Sequence, residues 1–187
     1  MIAPPVTRKR FTADEYEQII AAGVITEDDR VELLEGEIVE MSPIGPSHAA
    51  CVARLTSQLY HLGHADIIIR VQDPIRLADY SLPQPDIAVV QWRGDFYASG
   101  HPEAEDVLLL VEVAESSLSY DRDLKLPVYA RAGIPEVWIV ALLPQMVEVY
   151  RAPGEHGYTE TFQLRRGDTI AALHLPGLRL PVDGILG

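Results

Sequence analysis

From residue 47 to 62 the apolar side chains Val52, Leu55, Leu59 and Leu62 return every three or four positions, the rhythm of an amphipathic helix. The Pro43-Ile44-Gly45-Pro46 breaker stands before it, and His48 falls in its first turn. A shorter helix is predicted over residues 12–23. Thr12 and Glu15 have capping-box spacing, Tyr16, Ile19 and Ile20 share a face, and Gly23 stops it. Between 30 and 41 the apolar residues Val31, Leu33, Ile38, Val39 and Met41 flank Glu35-Gly36, which predicts a hairpin with Glu32 and Glu37 near its turn. Apolar runs predict strands at 67–71, 75–77, 87–92, 107–113, 136–142 and 146–151, the last two joined at Pro144-Gln145. A second helix is predicted over 120–132, ended by Gly133 in a left-handed cap, with Pro127 removing one interior hydrogen bond. That helix is expected to bury Leu124 and Val128 and to leave Lys125 at the margin of the buried face. Residues 158–163 and 178–180 predict short strands closing one sheet edge, and residues 1–10, with Pro4, Pro5 and three basic side chains, a mobile arm.

Composition narrows the class. A chain of 187 residues with 48% hydrophobic content suits one domain with a sizeable core. Its net charge of -13 and pI near 4.7 disfavour a large basic surface, though they leave local clustering of Arg54, Arg70, Arg76, Arg122 and Arg131 open. The single Cys51 excludes an intramolecular disulfide and reads as a packed thiol in a reducing compartment. The first residues lack an apolar signal core, and no run reaches roughly 18 apolar residues, so a cytoplasmic protein with no membrane partner is expected.

Two acids break this apolar patterning. Asp86 opens Pro85-Asp86-Ile87-Ala88-Val89-Val90, and Glu112 interrupts Val107-Leu108-Leu109-Leu110-Val111-Glu112-Val113. A charge in a buried strand needs a cation, a proton or several donors. Phosphodiester hydrolysis needs an activated water, stabilised phosphate charge and help for the leaving oxygen, which carboxylate-held divalent cations and a lysine supply. Asp86 and Glu112 are therefore the candidate metal ligands, joined by the Val113 backbone carbonyl, and Lys125 is the candidate positive partner. Glu32 is a candidate accessory ligand, and His48 can orient a ligand, shuttle a proton or contact phosphate. Each has a plainer reading too: Asp86 as a strand start, Lys125 as a solvated helix lysine, Glu32 as an exposed hairpin residue and His48 as a helix-start residue. Glu115, Asp121 and Asp123 read as solvent-facing or helix-terminal charges, and Ser116-Ser117 as a turn and cap. Gly-rich phosphate loops, histidine-cysteine zinc spacing and a Gly-x-Ser-x-Gly elbow are absent from the sequence.

The stretches VELLEGEIVEMSPIGPSHA, QPDIAVV and LLLVEVAESSLSYDRDLKLPVYARAGIPEVWIV resemble, in this order, the Uma2-like (DUF820) family of restriction-endonuclease-like proteins in the PD-(D/E)XK nuclease superfamily. The resemblance covers about residues 11–181. It implies an α/β fold with a central mixed sheet flanked by helices, magnesium dependence, metal-binding roles for Asp86 and Glu112, and one pocket shared with Glu32 and His48. The chain departs from the superfamily pattern at Ala114, where the motif lysine would stand, and so resembles members whose lysine lies on the following helix, here Lys125. It departs again at Ala141, where similar sequences often carry aspartate.

The expectation is an endonuclease of restriction-endonuclease-like α/β fold, using Mg2+ or Mn2+ on nucleic acid, with DNA foremost. Two-strand cleavage would suit a symmetric homodimer. Two alternatives stand beside it: an inactive binding or regulatory module of the same fold, and a metal-dependent phosphohydrolase of a smaller substrate. A smaller substrate needs no extended basic groove, so the placement of the arginines discriminates it.

Overall fold

The computed structural model describes residues 8–26, 28–61, 63 and 65–187; residues 1–7 of the expected arm and Leu62 of the helix pattern lie outside the described residues. Helix α1 spans Ala13–Ala21 behind the expected cap, with Thr12 accepting from the Glu15 N–H and Glu15 accepting from the Thr12 N–H. The hairpin follows as β1 (Val31–Leu34) and β2 (Glu37–Glu40). Its turn residues Glu35 and Gly36 both have positive φ, 50° and 84°, the backbone that a two-residue turn between right-twisted strands requires. Two residues of the expected arm are held against this region, since Lys9 pairs with Glu15 and the Arg10 guanidinium donates to the Glu35 carbonyl.

Helix α2 (Pro46–His61) buries Cys51, Val52, Leu55 and Leu59, as its periodicity predicts. The central sheet runs β3 (Ile67–Val71), β4 (Ile87–Gln91), β5 (Val107–Ala114), β6 (Glu136–Ala141), β7 (Met146–Gly154) and β8 (Gly157–Arg165), in that spatial order. Only β5 and β6 are parallel neighbours, so the sheet is mixed. Strands β9 (Thr169–Ala171) and β10 (Arg179–Pro181) and the terminal helix α5 (Val182–Leu186) complete the chain. One sheet face packs on α2 and α5 through Leu55, Val111, Trp138 and Ile185, and the other packs under Tyr129, Ile134 and Ile139.

The expected strand at 75–77 is reduced to isolated bridges, Arg76 to Glu103 and Leu77 to Ser81. The nearby Pro74 and Pro83 have no N–H to extend a ladder. Strand β8 does close an edge, but residues 178–180 do not. Arg179–Pro181 pairs with Thr169–Ala171 in a separate ribbon, because Ile170, Leu178 and Leu180 pack over the sheet face. Cys51 is a packed thiol beside the Ile185 carbonyl, its pKa pushed up to about 11 by burial.

The largest departure lies between β5 and β6. The helix starts at Leu118 and is composite: α3 (Leu118–Tyr120), a π-helical turn (Asp121–Lys125) and α4 (Leu126–Arg131). The Leu126 N–H reaches back five residues to the Asp121 carbonyl. Pro127 has no N–H for the regular bond, and a widened turn just before it absorbs that loss. The extra residue also rotates the helix phase. Leu124, expected to be buried, is 51% exposed, whereas Lys125 is 3% exposed and points inward. Gly133 ends the helix with φ of +80°, as expected.

Candidate functional site

Ala88 pairs with Leu110 and Ile87 with Val111, so one further step brings Asp86 level with Glu112 on the neighbouring strand. Side chains two apart share a sheet face, and both acids therefore stand on the α4 face. Both line one cavity of about 770 Å3, with Lys125, His48, Val113 and Asp121. Lys125 Nζ lies 2.8 Å from Glu112 Oε1 and 3.4 Å from Glu32 Oε2, and donates to the Gln84 carbonyl at 3.2 Å.

Each carboxylate is held by a different part of the fold. Asp86 Oδ2 accepts from the Val113 N–H at 2.8 Å and lies 3.0 Å from His48 Nε2, while Oδ1 accepts from Gln72 at 3.2 Å. Glu112 Oε1 also accepts from the Tyr129 hydroxyl at 2.5 Å; among the described residues its Oε2 has no hydrogen-bond donor. Glu32 accepts from the Tyr120 hydroxyl and the Gln84 N–H, which fixes the hairpin against the sheet edge. Asp121, expected to be a solvent-facing or helix-terminal charge, is 5% exposed and accepts from Ser117. The π turn swings it inward one helical turn before Lys125. Asp123 is exposed as expected, and Glu115 sits half-buried at the cavity mouth.

One ammonium thus faces four carboxylates. Burial pushes the Glu112 carboxyl up to about 8, despite the opposing pull of Lys125. Asp121 is raised by burial in the same way. Burial would also raise Asp86, but its hydrogen bond to His48 and the Val113 amide bring it below the usual carboxylate range. Burial opposes the charge on Lys125, yet Glu112, Glu32 and Asp121 outweigh it and hold the amine protonated. Its hydrogen bond to Asp86 raises His48, whose buried Nδ1 has no partner among the described residues.

The sequence reading missed Asp121, Tyr120, Tyr129, Gln72 and Gln84. A signal was present for two of them: Asp121, Lys125 and Tyr129 recur every four residues and point toward one side of a helix. The five arginines singled out from the sequence are spent within the fold. Arg54 binds the Ile185 and Leu186 carbonyls, Arg70 pairs with Asp73, Arg76 with Asp14, Arg122 with Glu148 and Arg131 with Glu35.

No helix among the described residues is long and apolar enough to cross a membrane. Comparison with curated proteins finds no match. A solved structure described as a putative nuclease belonging to DUF820, from Anabaena variabilis ATCC 29413, is similar in fold: the TM-score is 0.72 at 17% identity, over 94% of this chain and 97% of that one. The profile of the Uma2 family, described as "Putative restriction endonuclease", matches residues 13–183, and the chain belongs to that family.

Proposed function

We propose that this protein hydrolyses phosphodiester bonds of nucleic acid with Mg2+ or Mn2+ held at Asp86 and Glu112. The observation that carries the reading is the charge imbalance: the Lys125 ammonium contacts Glu112 and the buried Glu32, while Asp86 and Asp121 line the same open cavity. Among the described residues no group of three His, Cys, Asp or Glu side chains is arranged to hold a metal ion. The donor set nevertheless fits magnesium, which keeps several waters and commonly takes only one or two carboxylates together with substrate phosphate. Glu112 Oε2 is available, and the Val113 carbonyl is a further candidate ligand. A bound divalent cation supplies Lewis-acid polarisation of the phosphate and a more acidic water.

The residues of the chain have separable tasks. Asp86 and Glu112 present ligand oxygens; His48 and the Val113 N–H orient Asp86, and Tyr129 orients Glu112. Lys125, held as a cation, donates to developing negative charge or orients the attacking water and does not act as a base. A nuclease assay on DNA and RNA, with and without Mg2+ and Mn2+, tests the reading. Metal-dependent cleavage lost in Asp86→Ala supports it, and absence of metal-dependent cleavage by the wild type overturns it.

One observation favours a second reading, hydrolysis of a smaller phosphodiester. The cavity lining includes Asp29, Asp73 and Glu115, and among the described residues Arg30 is its one arginine. Small phosphodiesters therefore belong in the same assay.

A further inference from the structure

Helix α2 leaves the catalytic cavity beside a second cavity of different character. His48, Val52, Thr56 and Tyr60 recur every four residues and share a face, with the small Ala49 and Ala53 alongside. Between that face and Val71 at the end of β3 lies a trough of about 520 Å3, with Tyr60, 62% exposed, among its walls. Twelve residues of helix carry the face about 18 Å away from His48. The trough adjoins the catalytic cavity at Ile44 and Gln72, which line both, and Gln72 is the donor to Asp86. Among the described residues none with a charge lines the trough, although the chain carries a net charge of -13 and the adjoining cavity is lined by carboxylates.

We propose that this trough binds unstacked bases of a single-stranded nucleic acid whose phosphate lies at Asp86 and Glu112, an inference that rests on the nuclease reading above. A duplex presents its phosphates outward and hides its base faces, so it needs an extended basic surface, whereas Arg54, Arg70, Arg76, Arg122 and Arg131 are held by partners within the fold and the chain is strongly acidic. A single strand offers apolar base faces to an uncharged wall, and an exposed tyrosine is a stacking platform that accepts any base. Continuity at Gln72 aligns the two sites: phosphate at the carboxylates, bases along α2. Binding of this kind draws little on counterion release and is therefore weakly salt-dependent.

Fluorescence anisotropy tests this with the full chain in buffer containing Ca2+, a hard cation that bridges carboxylate and phosphate, using a labelled DNA single strand, its duplex, and an abasic strand of equal length and charge. The base-bearing strand is expected to bind about tenfold tighter than the abasic one, with a shallow salt slope. Tyr60→Ala and Ala53→Leu, which removes the platform or fills the trough, should each abolish most of that preference without lowering the melting temperature. Equal affinity for base-bearing and abasic strands, a preference for duplex, or indifference to both variants overturns the proposal. So do wild-type dimers that Ala53→Leu dissociates in sedimentation, since the trough would then hold a second copy of the chain. Cleavage is scored separately. Base-dependent binding with no metal-dependent cleavage overturns the nuclease reading and supports the trough; cleavage without any base preference does the reverse.

Discussion

Glu112 and Glu136 are both buried acids in neighbouring parallel strands, yet their surroundings differ in kind. Glu136 lies at the start of β6, and its Oε1 accepts from Trp138 Nε1 and twice from Arg151, while Oε2 accepts from the Leu173 N–H. Every oxygen is satisfied and the charge is balanced. Glu112 lies near the end of β5 on the other face, shares one ammonium with three further acids, and keeps one oxygen without a donor among the described residues. Glu148 on β7 follows the first pattern, held by Arg122, Tyr150 and Gln163. An acid in an apolar strand is thus an ambiguous signal. Local charge balance separates a structural ion pair from a site that still has capacity for a ligand.

The sharpest way to break this comparison is to exchange the losses. Glu112→Gln should lower metal-dependent cleavage by about 10²–10³-fold, the scale of removing one group that acts on transition-state charge, whereas Glu136→Gln in a protein that still folds should leave kcat nearly unchanged. Comparable kcat losses in both would erase the distinction. Stability should run the other way: Glu136→Ala strands the Arg151 guanidinium, the Trp138 N–H and the Leu173 N–H, costing about 3 kcal/mol in urea unfolding.

Metal should separate the clusters as well. At a hundredfold above Kd, Mg2+ binding to the folded state alone adds about 2.7 kcal/mol. Wild-type melting should therefore rise by several degrees, Asp86→Asn should lose most of that rise, and Glu148→Gln should keep it. A wild type whose melting ignores both metals, with salt matched, would favour the inactive module.

The smallest effects sharpen the contrast through pH. The Glu112 carboxyl is raised above its unfolded value of 4.5 to about 8. Its contribution to metal-free stability is therefore fully present below about 4.5 and is lost as pH rises through about 8. Glu112→Gln should consequently gain on the wild type between those limits. Glu148 behaves oppositely: burial raises it, but Arg122 and Tyr150 outweigh burial and lower its pKa. Its contribution is present above about 4.5 and is lost as pH falls through the depressed value, so Glu148→Gln should flatten the acid limb alone. Urea midpoints across pH check both; identical profiles for the two variants would mean that the clusters are electrostatically alike.

Local patterning carried most of the elements and the identity of three central residues. The Thr12 cap, the Glu35-Gly36 turn, the Gly133 stop and the apolar runs act within a few residues, so spacing alone specifies them. Asp86 and Glu112 were legible because charge contradicts an apolar strand, and Lys125 because hydrolysis at two such acids calls for a nearby cation, which the following helix offers. Only the tertiary structure decided the helix phase and the charge balance. The widened turn at Asp121–Lys125 exposes Leu124 and buries Asp121 and Lys125, a register change that a uniform 3.6-residue period does not contain. Glu136 is neutralised by Arg151, 15 residues on, and by the Leu173 N–H, 37 residues on, while Glu112 meets a hairpin acid 80 residues earlier through Lys125. Such partners are assembled by packing across the chain, and whether a buried acid is balanced depends on which of them arrive.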